Sequence, residues 1–229
     1  MLGKTSVSLT QNKIRIDCPK QGFVLLSRAP EWKVYLFRPD SSIYSECSFR
    51  AFAQNGLAYW KYDSRNIPKF GDTVDKRLTR RDVKTKECGS CILYSCPVDL
   101  AEEDNLSPLM TKLDKSVRVT KLEWILVDPK TLAGAPTPSK EALAIARAFL
   151  NCPLIRDTEN LYPLTYSQVN ERNNYSFLFA TQAISQRCLE DAAFKLPKNC
   201  SKEVKDQSQA VFGVGSKSGA ENWAESFYK

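Results

Sequence analysis

The chain has 229 residues, with 33 lysines and arginines against 26 aspartates and glutamates, and it contains no histidine. Without histidine it cannot form a Ser-His-Asp or Cys-His catalytic pair, an HExxH zinc site or a histidine-ligated haem. An apolar share of 42% is enough for a folded core, so this length fits one large domain or two small ones.

The first 62 residues predict a run of antiparallel strands. Polar and apolar residues alternate over 6–10 and over 13–17, on either side of a turn at Gln11-Asn12, which is the pattern of a half-buried hairpin. The connections that follow are too short for crossover helices, so we expect a meander. The further strands are predicted at 23–27, 33–37, 43–49 and 56–62.

Residues 63–104 depart from this pattern, and we expect a basic, cysteine-rich insertion on the sheet. Its basic run concentrates six cations that can contact phosphates, an anionic partner or an anionic lipid surface. We favour the other interpretation, a solvated loop or an edge strand whose charges prevent edge-to-edge pairing. The six cations are Lys76, Arg77, Arg80, Arg81, Lys84 and Lys86.

The insertion also contains Cys88-Gly-Ser-Cys91, followed by Cys96. Two thiols at this spacing can chelate one zinc ion, but a structural zinc site needs four ligands and no second CxxC is present. A redox CxxC is expected at a helix start in a βαβ setting, which the surroundings do not resemble. We therefore favour structural disulfides here over a metal site or redox chemistry.

The second half of the chain predicts further strands and two helices. A serine-proline pair opens a short helix over 107–113. Apolar residues at i, i+3, i+4 and i+7 predict an amphipathic helix over 138–150. The strands are predicted at 117–127, 161–169, 175–183 and 210–212, an extended run at 188–200, and a flexible tail at 213–229.

The cysteines are even in number and spread over the whole chain, which favours disulfides and an oxidising compartment over a thiolate metal site or buried free thiols. No signal peptide is recognisable at residues 1–17 and no window is long and apolar enough to span a membrane. Either the protein is cytosolic or a signal peptide was removed ahead of Met1. The second option fits the cysteines better, so we expect an exported protein, periplasmic or extracellular. The candidate disulfide residues are Cys18, Cys47, Cys88, Cys91, Cys96, Cys152, Cys188 and Cys200.

Residues 13–49 contain Lys-Ile-Arg-Ile-Asp, then Phe-Val-Leu-Leu-Ser, then Trp32-Lys-Val-Tyr-Leu-Phe-Arg-Pro-Asp-Ser, and residues 175–197 combine a strand, a small linker and Phe194-Lys-Leu196-Pro197. Together these segments resemble LolA-like proteins, the periplasmic lipoprotein-carrier superfamily. The resemblance implies an incomplete antiparallel barrel whose helices cover an apolar concavity. It assigns no ligand-binding residue to this chain.

The sequence thus predicts a single α+β domain over residues 1–212, with a curved, mainly antiparallel sheet and one or two packed helices. The leading functional hypothesis is an exported, non-enzymatic binding module that holds a lipid, a lipoprotein acyl chain or another apolar ligand. One alternative is a structural or interaction protein of a cell-surface or secreted assembly. Another is a thiolate-zinc protein that binds an anionic partner. We expect no catalytic residue, no cofactor, no resident metal, no nucleic acid partner and no transmembrane segment.

Overall fold

The computed structural model describes residues 4–57, 78–86, 88–97, 119–132, 137–150, 152, 155, 157–185, 189–205 and 207–212. The fold is α+β and mostly antiparallel, which confirms the expected class. The chain divides into two compact units, and the single domain expected over residues 1–212 stays a prediction. The first unit takes residues 1–63, 136–151 and 187–229, and the second takes residues 64–135 and 152–186.

The sheet of the first unit has six strands in the order β1-β2-β3-β4-β5-β11. The predicted N-terminal hairpin is confirmed, with Leu9 opposite Ile14, and the meander continues through β5. The last strand, from the far end of the chain, pairs with β5 in parallel. The strands are β1 (Ser6–Leu9), β2 (Lys13–Cys18), β3 (Phe23–Arg28), β4 (Val34–Phe37), β5 (Ile43–Cys47) and β11 (Lys202–Glu203).

One face of this sheet packs against a helix. Helix α2 (Lys140–Phe149) begins at Ser139, whose side chain accepts a hydrogen bond from the backbone N–H of Ala142. The ring of Phe149 lies 6.4 Å from that of Phe23 on β3. Because both rings are fully enclosed, the predicted amphipathic helix buries its apolar stripe in the core.

The opposite face is covered by residues 189–205, which we name the C-terminal strap. Leu196 and Cys200 of the strap pack on Val24, Leu26 and Phe37. Polar contacts hold the strap in place. Lys13 pairs with Asp191, and Arg15 donates to the carbonyl of Ala193 at 2.6 Å. The backbone N–H of Val204 donates to the backbone carbonyl of Tyr44 at 2.8 Å. Both faces of the central strands are therefore filled by the protein's own side chains.

Two segments of the first unit differ from the sequence-based expectation. Helix α1 (Phe49–Asn55), capped by Ser48, takes residues assigned partly to a strand. Helix α3 (Gln207–Phe212) replaces the strand predicted at 210–212. Val211 is β-branched, but its complete burial in the tertiary structure outweighs that local preference. Residues 58–62 of the strand predicted at 56–62, the helix predicted at 107–113 and the tail predicted at 213–229 lie outside the described residues.

The second unit is an antiparallel meander in the order β10-β9-β8-β7-β6. The segment expected to be an insertion supplies its first two strands, because 79–85 and 89–97 pair with each other and with the strand that follows. The hairpin predicted over 161–183 is confirmed, because the last two strands of this sheet pair with each other. The strands are β6 (Thr79–Thr85), β7 (Gly89–Pro97), β8 (Val119–Val127), β9 (Tyr162–Asn170) and β10 (Tyr175–Ala180).

Alternation along β8 gives this sheet two different faces. One, which we name the tryptophan face, carries Trp124 stacked on Tyr166 with ring centroids 5.1 Å apart. Leu122, Leu126 and Tyr94 join them in one fully apolar cluster. The other, which we name the glutamate face, carries Lys121 and Glu123 at one end and Ile125 and Val127 at the other.

Candidate ligand-binding groove on the second sheet

A polar row crosses the glutamate face at one end of the sheet. Thr79 lies opposite Ser95, Ser95 opposite Glu123, and Glu123 opposite Ser167, so the row spans four neighbouring strands. Ser167 and Glu123 are buried. A buried carboxylate among hydroxyls is costly unless its oxygens have partners, so the contacts of Glu123 decide what this row can do.

The contacts of the Glu123 carboxylate converge on one oxygen. Lys121 Nζ lies 2.7 Å from Oε1, and Ser95 Oγ donates to the same atom at 3.1 Å. Only about 7% of the Glu123 side chain is exposed, against 38% for Lys121. The ion pair therefore holds a buried carboxylate next to solvent.

Two of the three hydroxyls in the row, those of Thr79 and Ser95, have already used their protons. Ser95 donates to Glu123, and Thr79 Oγ1 donates to the backbone carbonyl of Ser95 at 3.3 Å. A hydroxyl has one proton but two lone pairs. Thr79 and Ser95 therefore offer a ligand mainly acceptor capacity.

The basic run divides between the two faces of β6. Arg81 shares the glutamate face with Thr79, whereas Arg80 and Lys84 are opposite Tyr94 and Ser90 and belong to the other face. Arg80 also lies 3.9 Å from Asp82, while Arg81 has no acidic partner among the residues that the structure describes. Lys86 follows the strand, and Lys76 and Arg77 lie outside the described residues. Of the six cations in the predicted patch, the strand register places only Arg81 on the glutamate face among the described residues. It shares that face with Lys121, which is paired with Glu123.

These side chains line an open groove of about 440 Å³. This volume is within the range of about 300–1,000 Å³ that small-molecule sites occupy. Its lining is polar and charged, so it does not suit an acyl chain. The lining residues are Thr79, Arg80, Arg81, Ser95, Lys121 and Glu123. Arg80 thus contributes to the groove from the edge strand, although its strand position belongs to the other face.

The other end of the glutamate face holds thiols in an apolar setting. Thr85 Oγ1 accepts from the Cys88 backbone N–H at 3.1 Å and lies 3.6 Å from Cys91 Sγ. A small cavity of about 40 Å³ adjoins Cys88 and Thr181. Burial raises the pKa of the nearby Tyr162 to about 12, so this phenol stays protonated at neutral pH.

The described cysteines do not form the framework that the sequence predicts. Cys18, Cys47, Cys91 and Cys200 are free thiols, and Cys188 lies outside the described residues. Burial raises the pKa of Cys18 to about 12 and that of Cys47 to about 11, and it also raises that of Cys200. The thiolate is the form that acts as nucleophile and metal ligand. Because their pKa values are raised, these three thiols are poor nucleophiles and poor metal ligands at neutral pH. Disulfide bonding of Cys88, Cys96, Cys152 and Cys188 stays a prediction.

In the described ranges of the chain, no group of three or more cysteine, aspartate and glutamate side chains is arranged to hold a metal ion. No helix in those ranges has the length and apolar character needed to cross a membrane.

Sequence reasoning missed Thr79, Ser95, Lys121 and Glu123. The available signal was Glu123 itself, a charge inside the apolar stretch predicted to be a central strand. Comparisons with protein-family models, curated proteins and solved structures give no match, and the LolA-like resemblance stays a prediction.

Proposed function

We propose that this chain is a binding protein that holds an anionic ligand in the groove of its second sheet. The observation that carries the proposal is Arg81, which lies in a ligand-sized groove without an acidic partner among the described residues. Arginine presents five donors in a planar fork that suits carboxylate, phosphate or sulfate.

The leading hypothesis from the sequence, an apolar ligand in a concave sheet, has less support. The first sheet is covered on one face by α2 and on the other by the C-terminal strap. The small cavity of the second sheet, about 40 Å³, has no room for an acyl chain. The polar groove instead favours the anionic partner that the basic run suggested. Export of the protein stays a prediction from the cysteine count.

Binding is proposed rather than catalysis. Among the described residues, the groove is lined by one carboxylate, that of Glu123, which is held by Lys121 and Ser95, whereas hydrolysis of glycosides uses two carboxylates on either side of the bond. The ion pair fixes both charges in place, which suits recognition of a ligand.

The test is binding of fluorescently labelled dextran sulfate, a general polyanion, measured by anisotropy at two salt concentrations. Arg81→Ala should weaken binding about tenfold, the loss of one charge-assisted hydrogen bond. Lys84→Ala is the matched control, because it removes the same charge from the same strand on the opposite face. Equal losses in both variants would show that binding follows net charge alone, and the groove would have no special role.

A further inference from the structure

We infer that the ligand of this groove is a carboxylated sugar, in which hydroxyl groups flank a single negative charge. This inference rests on the proposed anion site and adds to it the chemistry of the groove floor. The groups in the groove that still have hydrogen-bonding capacity decide which ligands fit.

The floor of the groove offers acceptors. The protons of Thr79 and Ser95 are directed to a carbonyl and to Glu123, and the Glu123 carboxylate has about four lone-pair sites for its contacts with Ser95 and Lys121. A ligand that fits this floor must bring O–H or N–H donors. Sulfate and phosphodiester groups bring none, so lone pairs would face lone pairs.

The three cations that line the groove differ in their acidic partners. Lys121 is matched by Glu123 at 2.7 Å and Arg80 is near Asp82, which leaves Arg81 as the cation without an acidic partner in the described ranges. A dense polyanion needs many uncompensated cations. One cation next to a set of acceptors fits a ligand that carries one carboxylate per unit with hydroxyls beside it.

A uronic acid sugar combines these features. Its carboxylate can form two parallel hydrogen bonds with the Arg81 guanidinium, and its ring hydroxyls can donate to Glu123, Ser95 and Thr79. The buried position of Glu123 strengthens such a bond, because a charge-assisted hydrogen bond gains where water is excluded. Glu123 is therefore the residue that distinguishes a sugar acid from other anions.

The decisive experiment is Glu123→Gln, measured by calorimetry with galacturonic acid, with its linear trimer and with dextran sulfate. The amide keeps the shape but replaces the carboxylate and releases Lys121 from its ion pair. For the sugar acids we expect affinity to fall about tenfold, because a hydrogen bond to a charged group is lost. For dextran sulfate we expect affinity to rise, because Lys121 becomes available.

Opposite responses of the two ligand classes would support the inference, and parallel responses would overturn it. If Arg81→Ala weakens dextran sulfate but neither sugar acid binds the wild-type protein, the anion site stands and the sugar assignment fails. If Arg81→Ala changes nothing for any probe, the anion site fails as well. Comparing the affinities of galacturonic acid and its linear trimer distinguishes a site for a free sugar acid from a site for a polymer end.

Two further measurements guard against trivial explanations. Thermal unfolding checks that the Gln variant is folded, and Thr79→Val removes an exposed acceptor without touching the buried ion pair. The valine variant should weaken the sugar acids and leave dextran sulfate unchanged. Polyglutamate and oligothymidylate serve as competing probes, and tight binding of either one in place of the sugar acids would overturn the assignment.

Discussion

Gly22 lies against the guanidinium of Arg38, and a Cβ atom at Gly22 would be 2.9 Å from Arg38 Nη2. The same arginine donates to the carbonyls of Gln21 at 3.1 Å and Val211 at 3.2 Å. A turn residue of the first sheet thus shares one side chain with the end of helix α3.

This arrangement predicts that Gly22→Ala destabilises the protein more than Gly89→Ala. Both glycines have positive φ, +72° and +68°, but nothing lies within 4 Å of a Cβ placed on Gly89. The left-handed conformation should cost about 1 kcal/mol at each position. The atom nearest to the added Cβ is Nη2, which pairs with Asp40, whereas Nη1, the donor to both carbonyls, is 3.2 Å away. Shifting this guanidinium should add up to about 1 kcal/mol at Gly22.

Urea unfolding of the two variants measures this difference in the free energy of unfolding. Adding Arg38→Ala completes a double-mutant cycle with Gly22→Ala. In the Arg38→Ala background, Gly22→Ala should cost no more than Gly89→Ala does in the wild-type protein. An undiminished cost in that background would place the strain in the backbone alone and contradict the contact.

The buried thiol of Cys18 predicts a loss of stability at alkaline pH. Burial raises its pKa from 9.0 to about 12, with a smaller raising effect from Asp17 and an opposing hydrogen bond from Thr5. Because the folded-state pKa is the higher one, this contribution is complete below pH 9 and is lost as pH rises towards 12. Ionisation of the unfolded chain drives the loss.

The measurement is the free energy of unfolding of wild type and Cys18→Ala at pH 8 and pH 11. The advantage of the wild type should shrink by about 2–3 kcal/mol between these values, while lysines and tyrosines common to both proteins cancel in the difference. The same free-energy difference between the two proteins at both pH values would mean that the thiol is more accessible than its position on β2 indicates.

The thiol content gives a direct test of structure against sequence. The purified protein is denatured in iodoacetamide without reductant, and its peptides are then analysed by mass spectrometry. We expect alkylation of Cys18, Cys47, Cys91 and Cys200, which are free in the structure. A reduced sample provides the full count of eight. Failure of all four to react before reduction would restore the disulfide framework.

Much of the fold could be predicted because alternation and amphipathic spacing are local. The β1–β2 hairpin and α2 follow from period-two and helical patterns that need no distant information. Helix α1 was missed because seven residues are too few for a clear period. The assignment of strands to two sheets was also missed, since a strand's pattern gives its faces but not its neighbours.

The groove could be predicted only in part, because it depends on register. Arg81 was a candidate from the basic run, but its separation from Arg80 and Lys84 follows only once β6 is known to be a strand. Ser95 and Glu123 are far apart in the sequence, and only the β7–β8 pairing brings them together. Charge inside an apolar run was therefore the one usable signal.

The C-terminal strap has a consequence for synthesis on the ribosome. Strands β1–β5 emerge first, yet Leu196 and Cys200, which cover Val24 and Phe37, are translated only after the whole second sheet. Until then the nascent first sheet exposes an apolar surface of the kind that chaperones bind. The first part of the protein to be made is thus among the last to be finished, and its folding yield in cells should depend on help during translation.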